Sequence, residues 1–105
     1  MVAKTIEYAV RTIGCAVTHS VHGRDAIKLF ELIDPHLVIT DVILPEADTF
    51  DMIGELRRFY PAAKILAISG NPHLLRLAAK HGVNDVLPKP FDINRLNTLV
   101  KGMLV

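Results

Sequence analysis

Three side chains whose types suit work on a phosphoryl group follow three apolar segments of the sequence. Asp41 follows the aliphatic run 37–40, Ser69 ends the segment AKILAIS, and Lys89 comes shortly after VNDVL. A carboxylate can accept a phosphoryl group as a nucleophile, a hydroxyl can donate to a phosphoryl oxygen, and an ammonium group offsets the charge on those oxygens. These residue types favour phosphoryl transfer.

The spacing of the three residues predicts that they lie side by side. Ser69 lies 28 positions after Asp41, and Lys89 lies 20 positions after Ser69. Each interval is about the length of one helix and one strand, and the carboxyl ends of parallel strands meet at one edge of a sheet. Singly, each residue has a common alternative as a turn, cap or solvated strand-end residue. The prediction therefore depends on all three occurring in register.

The elements that must position these residues alternate regularly along the chain. Helical stripes run through residues 2–13, 26–33, 52–59, 72–81 and 93–103, and short apolar segments at 15–21, 37–40, 63–69 and 83–87 separate them. The aliphatic run 37–40 is typical of a strand covered on both faces, and a loop is predicted at 44–49. Alternation of this kind predicts a three-layer α/β fold in which helices cover both faces of a parallel sheet. By length, residues 1–105 form a single domain.

Several residues mark the expected ends and buried faces of these helices. Asn71 and Pro72 predict a helix start, Gly82 a helix end, and Asp92 the cap of the last helix. The third and fifth stripes include Phe59 and Ile93, which are therefore predicted to be buried.

The composition excludes several classes of protein. Half of the residues are hydrophobic, 22% are charged, and the net charge is +1, as in an ordinary soluble globular protein. The sequence has no basic run interleaved with aromatic residues, so we expect no direct nucleic-acid binding. No apolar run reaches the ~20 residues of a membrane span. Cys15 is the only cysteine, so we expect no internal disulfide and a cytoplasmic location. Without a glycine-rich phosphate loop or a nucleophile–base pair, we do not expect an enzyme.

The segments TDVILPEAD, KILAISG and HGVNDVLPKPF, and more weakly GCAVTHSVHGRDAI, resemble response-regulator receiver domains of the chemotaxis type, the phospho-accepting modules of bacterial two-component signalling. The resemblance covers essentially the whole chain. It implies a flavodoxin-like fold, with Asp41 as the phosphorylation site, Ser69 as the hydroxyl that senses the phosphoryl group, and Lys89 as its counter-charge. It also implies a cis peptide bond between Lys89 and Pro90.

The resemblance implies partners as well. A histidine kinase or a phosphotransfer protein would supply the phosphoryl group, and a downstream target would bind the face formed by residues 74–103. That face carries four cationic side chains, Arg76, Lys80, Arg95 and Lys101.

The sequence departs from the family at its start. Receiver domains open with a strand that ends in acidic residues, which hold Mg²⁺, whereas this sequence opens within the expected first helix and contains no such pair. Asp41, the carbonyl of Ile43 and water are left as ligands, so we expect weak Mg²⁺ binding and slow or absent self-phosphorylation. Either a segment precedes Met1 in the natural product, or the monomer has a four-stranded sheet and tends to form a dimer.

Two smaller departures affect signalling within the domain. Val86 stands where receivers often carry a switching aromatic residue, and Thr49 where the loop often has glycine. We therefore carry two hypotheses. The chain is either a phosphorylated receiver, or a degenerate receiver that is never phosphorylated and works as an interaction or dimerisation module.

Overall fold

The computed structural model describes residues 28, 30–32, 35–42 and 47–104. The predicted first helix, the predicted strand at 15–21 and Ile43 lie outside these residues. The expectation of a fourth strand therefore remains a prediction, as does the dimer that was inferred from it.

Strands and helices alternate throughout the described part, as the sequence predicts. The elements are β1 (Val38–Asp41), α1 (Ala47–Phe59), β2 (Ile65–Ser69), α2 (Pro72–His81), β3 (Asp85–Pro88) and α3 (Ile93–Leu104). Lys28 and residues 30–32 are also helical. The three strands form a parallel sheet in the order β1-β2-β3. Within these residues, no helix is long and apolar enough to cross a membrane.

The central strand β2 divides the core into two layers. All five of its residues are buried, and their side chains alternate between the two faces of the sheet. Ile65 and Ala67 pack in a cluster with residues of α1 and α2, whereas Leu66 and Ile68 pack in a second cluster with α3. Helices thus cover both faces of the sheet, which confirms the predicted three-layer α/β fold.

The predicted helix caps are confirmed. Asn71 Oδ1 accepts a hydrogen bond from the N–H of His73 at 2.9 Å, which satisfies a free donor in the first turn of α2. Gly82 ends the same helix with φ of 109°, in the left-handed region that favours glycine. Asp92 Oδ1 accepts a hydrogen bond from the N–H of Arg95 at 2.8 Å and caps α3.

One aromatic and one aliphatic residue that were predicted to be buried are instead exposed. Phe59, the last residue of α1, is 60% exposed, because Tyr60 takes the inward position and packs on Phe30 with ring centroids 4.3 Å apart. Ile93 begins α3 and is 40% exposed, since the buried positions of that helix start at Leu96, one turn later.

The surroundings of β1 also differ from the prediction. Its four residues are half-buried, although the run of aliphatic residues predicted a strand covered on both faces. Within the described residues β1 pairs with β2, and the predicted strand at 15–21 lies outside them. The loop predicted at 44–49 is shorter, because α1 already begins at Ala47 and includes Thr49.

Arg57 joins three segments at the end of the sheet opposite Asp41. Its Nε donates to the carbonyl of Gly82 at 2.9 Å, and Nη1 donates to the carbonyls of Pro61 and Ala63 at 2.7 Å. Its Nη2 donates to Asn84 Oδ1 at 2.7 Å. One guanidinium group therefore holds the end of α1, the turn before β2 and the turn before β3 together.

Replacing Arg57 with Met is expected to lower the free energy of unfolding by about 2 kcal/mol, because several carbonyls lose a charged donor while the apolar stem is kept. Urea denaturation measures this. Arg58→Met is the control, because Arg58 is exposed and its described contact is with the ring of Phe59. Arg58→Met should lower the free energy of unfolding by less than about 1 kcal/mol. Equal losses for the two variants would contradict the role given to Arg57.

Gly82→Ala is expected to destabilise the fold by about 1–2 kcal/mol, because a side chain disfavours the left-handed backbone. The new Cβ would also lie 3.2 Å from Arg57 Cγ. Gly102→Ala is the control, since Gly102 lies within α3 and a Cβ there meets nothing within 4 Å. Alanine should stabilise that helix by roughly 0.5–1 kcal/mol. Thermal unfolding should therefore shift in opposite directions for the two variants.

Candidate functional site

The three residues predicted to act together lie at the same edge of the sheet. Asp41 is the last residue of β1, Ser69 is the last residue of β2, and Lys89 directly follows β3. Asp41 pairs with Ile68 in the parallel register, and Ser69 pairs with Pro88. The three residues are therefore level with one another to within about one position, at the carboxyl end where open α/β sheets bind ligands.

Asp41 and Lys89 form an ion pair across the end of the central strand. Lys89 Nζ lies 2.9 Å from Asp41 Oδ1 and donates a hydrogen bond to Oδ2 at 3.1 Å. Each side chain is 24% exposed. The backbone N–H of Lys89 donates to the carbonyl of Ser69 at 2.9 Å, which fixes where the lysine leaves the sheet. The predicted cis peptide bond between Lys89 and Pro90 is confirmed.

The two oxygens of the Asp41 carboxylate have different surroundings. Oδ1 is buried and has no hydrogen-bond partner, so its 2.9 Å contact with Lys89 Nζ is an electrostatic contact without hydrogen-bond geometry. Oδ2 is the oxygen that accepts the hydrogen bond from Lys89, in a side chain that is 24% exposed as a whole.

Ser69 lies at the end of β2 and is 1% exposed. Its Oγ accepts a hydrogen bond from the N–H of Asn71 at 3.1 Å, which leaves the hydroxyl proton to be donated elsewhere. The bond to Asn71 escaped the sequence reasoning, although the segment Ser-Gly-Asn-Pro is typical of a turn closed by a serine hydroxyl. Asn71 thus caps α2 with its side chain and orients Ser69 with its backbone.

The position of Gly70 beside Lys89 does not require glycine. A Cβ built on Gly70 would lie 3.8 Å from Lys89 Cβ, an ordinary van der Waals contact, so small residues fit here without displacing the lysine.

Val86, which replaces the aromatic residue seen in many receivers, is half-buried and packs against the first core cluster. As a β-branched residue it has a restricted χ1 angle, which does not suit a rotamer switch.

No group of three or more His, Cys, Asp or Glu side chains lies close enough together within the described residues to hold a metal ion. Mg²⁺ requires near-octahedral oxygen coordination, whereas at this site Asp41 is already paired with Lys89. The carbonyl of Ile43, the other ligand expected from the sequence, lies outside the described residues.

Comparisons with known proteins identify the family. A sequence model of the response regulator receiver domain matches residues 1–101, and the chain belongs to this family. Chemotaxis protein CheY of Thermotoga maritima is 32% identical over 77 residues, which cover 71% of this chain and 64% of CheY. Sensor kinase CckA of Brucella abortus is 33% identical over 103 residues, which cover 91% of this chain and 11% of the kinase.

Solved structures support the same assignment. A putative response regulator from Chloroflexus aurantiacus has a TM-score of 0.88 and 28% identity, with 98% of this chain and 88% of that chain covered. The receiver domain of NtrX from Brucella abortus has a TM-score of 0.87 at 20% identity, which shows the shared fold. The predicted flavodoxin-like receiver fold is confirmed.

The family defines the general role of the chain. Receiver domains are signalling domains of two-component systems, and those of this family typically bind Mg²⁺ for phosphorylation. The chain spans only 11% of the sensor kinase it matches and 15% of the matching transcriptional regulator NtrC of Azospirillum brasilense.

The ion pair should contribute little net stability, because the two partly buried groups lose solvation when they pair and this loss offsets much of their attraction. Lys89→Met is therefore expected to change the free energy of unfolding by less than about 1 kcal/mol. Leu87→Ala, two residues earlier and 1% exposed, is the contrasting variant and should cost about 2–5 kcal/mol. Urea denaturation of both variants tests this. A loss for Lys89→Met as large as that for Leu87→Ala would show that the pair is structural.

Proposed function

We propose that this receiver domain accepts a phosphoryl group on Asp41 and passes the signal on through protein contacts. The observation that supports the proposal most strongly is the pairing of Asp41 with Lys89 at the carboxyl edge of the sheet, beside the buried hydroxyl of Ser69. A carboxylate nucleophile, a hydroxyl donor and a fixed positive charge together suit phosphoryl transfer.

In the proposed transfer, Asp41 Oδ2 attacks the phosphorus atom of a phosphorylated imidazole. A bond forms between Oδ2 and phosphorus as the bond between phosphorus and the imidazole nitrogen breaks, and the electron pair of that bond stays on the imidazole. The product is an acyl phosphate on Asp41 and a histidine in the donor protein. No proton needs to leave Asp41, because the ionised carboxylate is itself the nucleophile.

Lys89 and Ser69 would act on the charge that the phosphoryl group brings. The ammonium group of Lys89 is already within 3.1 Å of the attacking oxygen, so it can follow the phosphoryl oxygens with a small movement. The hydroxyl proton of Ser69 is available to a phosphoryl oxygen, since its Oγ is used as an acceptor by Asn71. The exchange of partners by these two residues would alter the local structure and carry the signal.

The phosphoryl donor would be a histidine kinase or a phosphotransfer protein. The resemblance to the sensor kinase CckA and to NtrC and CheY is consistent with such a partner. We also propose that the chain is located in the bacterial cytoplasm, where such donors act.

The degenerate receiver is the second candidate. The observation that favours it is that the given sequence contains no adjacent pair of acidic residues, such as receivers use to hold Mg²⁺. Without a metal ion, part of the charge on the transferring phosphoryl group goes without compensation. Such a chain would keep the fold and the protein contacts but not the phosphorylation.

Intact-mass spectrometry after incubation with acetyl phosphate, with and without Mg²⁺, distinguishes the two. We expect slow addition of a single phosphoryl group to the parent chain and none to Asp41→Asn. Lys89→Met should reduce the rate by about 10²-fold or more, as for the loss of one fixed electrostatic contact in an active site.

A histidine-phosphorylated transfer domain serves as a second donor in the same experiment. No phosphoryl addition from either donor to a folded parent chain would reject the proposal and favour the degenerate receiver. Equal phosphoryl addition to the parent and to Asp41→Asn would show that another residue is the acceptor.

A further inference from the structure

Strand β3 has a free edge within the described part of the chain. It pairs with β2 on one side, and no strand of the described residues pairs with it on the other. A free strand edge presents backbone N–H and C=O groups that can form a ladder with a strand of another molecule. The way in which β3 presents these groups therefore decides whether the sheet can be extended there.

The direction of the backbone groups in β3 follows from its bonds to β2. Pro88 pairs with Ser69 in the parallel register, and the N–H of Lys89, directly after the strand, donates to the carbonyl of Ser69 at 2.9 Å. The N–H of Lys89 thus points toward β2. Successive N–H groups of an extended strand point to opposite sides in the plane of the sheet. Val86 and Pro88 therefore hold the two outward positions of this four-residue strand.

The turn before β3 offers no free donor either. The N–H of Asn84 donates to the carbonyl of Ile65 at 2.9 Å, and Asn84 Oδ1 accepts a hydrogen bond from the N–H of Ile65 at 2.8 Å. Asn84 precedes the strand, so the alternation of N–H directions applies from Asp85 onward. The outward positions of the strand itself are what remains for a partner.

The N–H of Val86, the first outward position, is already occupied. Asp85 Oδ1 accepts a hydrogen bond from it at 2.8 Å, and the side chain of Asp85 is exposed. This bond agrees with an outward direction, because an N–H directed toward β2 would meet a carbonyl of that strand. A carboxylate is a stronger acceptor than a neutral carbonyl. The backbone of an incoming strand would therefore have to displace Asp85.

The second outward position has no donor at all. Residue 88 is an exposed proline, and proline lacks a backbone N–H. Within sheets, proline is confined to edges, strand ends and bulges, where no ladder bond is lost. The outer edge of β3 is thus left with carbonyl oxygens and without a free N–H.

Each of the two features has an ordinary explanation when it occurs alone. Aspartate often bonds to a neighbouring backbone N–H, and proline is common where strands begin or end. In this chain, however, the two features fall on both outward positions of the same strand. The strand also contains Val86 and the buried Leu87, whose side chains suit pairing with another strand. An edge of this composition would attract a partner if its donors were free.

We propose that Asp85 and Pro88 close the free edge of β3 to strand addition. A ladder between two strands needs donors and acceptors on both sides, and this edge supplies acceptors without donors. The sheet is thereby protected from pairing with the sheet of a second copy of the chain. Phosphorylation of Asp41 plays no part in this protection, so the two proposals stand or fall separately.

The double variant Asp85→Ala, Pro88→Val tests the proposal, because it restores both donors. Alanine leaves the N–H of Val86 free, and valine adds an N–H and suits a strand. Paired edges form several backbone hydrogen bonds, so the self-association constant from sedimentation equilibrium should rise roughly tenfold or more above that of the parent chain. Hydrogen exchange of the amides at positions 86 and 88, followed by NMR, should slow as the protein concentration rises.

The double variant Asp51→Ala, Ala62→Val is the matched control. It removes one exposed carboxylate and adds one exposed valine, as the test variant does, but on α1 and in the turn that follows it. Its self-association constant should stay within about twofold of the parent value. This control separates the opening of the edge from a general loss of charge and gain of apolar surface.

Replacing Asp85 with Asn separates the hydrogen bond from the charge. Asparagine keeps an oxygen that can accept from the N–H of Val86, but it carries no charge. Asp85→Asn combined with Pro88→Val should therefore associate no more strongly than Pro88→Val alone. Association as strong as that of the test variant would show that charge repulsion, and not the occupied N–H, protects this position.

Three results would overturn the proposal. They are a folded test variant whose association constant stays within about twofold of the parent value, an equal rise in the matched control, and association without slower exchange at positions 86 and 88. Circular dichroism establishes whether the test variant is folded. If it is not, Asp85→Ala alone decides, because it frees the N–H of Val86 and keeps Pro88. Its association constant should rise roughly threefold or more, and no rise would reject the proposal.

Discussion

The ion pair between Asp41 and Lys89 lies over the end of a strand from which solvent is almost completely excluded. Every residue of β2 is buried, including Ser69 at its end, so the charged groups of the site come from the strand ends on either side of it. The parallel register places Asp41 and Lys89 at the same level, and the backbone bond from Lys89 to the carbonyl of Ser69 fixes the lysine there. The chemistry of the site thus depends on how deeply β2 is buried.

The stability of the domain and the reactivity of the site come from different ends of the sheet. At the amino ends, Arg57 ties the turns before β2 and β3 to α1 with hydrogen bonds of 2.7–2.9 Å. At the carboxyl ends, the ion pair is partly exposed, with each side chain 24% exposed, and is expected to contribute little to folding. A substitution at Asp41 is therefore expected to alter the site without opening the core.

The fold, and the position of Asp41, Ser69 and Lys89 at one edge of the sheet, were predictable from the sequence because they depend on local patterns. The apolar runs predict strands, Asn71 with Pro72 predicts a helix start, and Gly82 predicts a helix end. The spacing of Asp41, Ser69 and Lys89 follows from the lengths of the strands and helices between them. The exposure of Phe59 was not predictable from the helical stripe, because Tyr60 competes for the same inward position and packs on the distant Phe30. The hydrogen bonds of Arg57 were likewise hidden, since they join segments 25 to 27 positions apart.

The surface of α2 and α3 has a similar explanation. The four cations of these helices are visible in the sequence, but the cleft lined by Leu87, Pro90 and Phe91 is not. Such a concave feature depends on three-dimensional packing and has no signature in the sequence.

The most direct test of the central claim is to locate the phosphoryl group on the chain. Borohydride reduces an acyl phosphate of aspartate to homoserine, and peptide mass spectrometry then identifies the position that changed. The account predicts homoserine at position 41 in the phosphorylated protein and at no other acidic residue. Homoserine at another acidic position, with Asp41 unchanged, would contradict it.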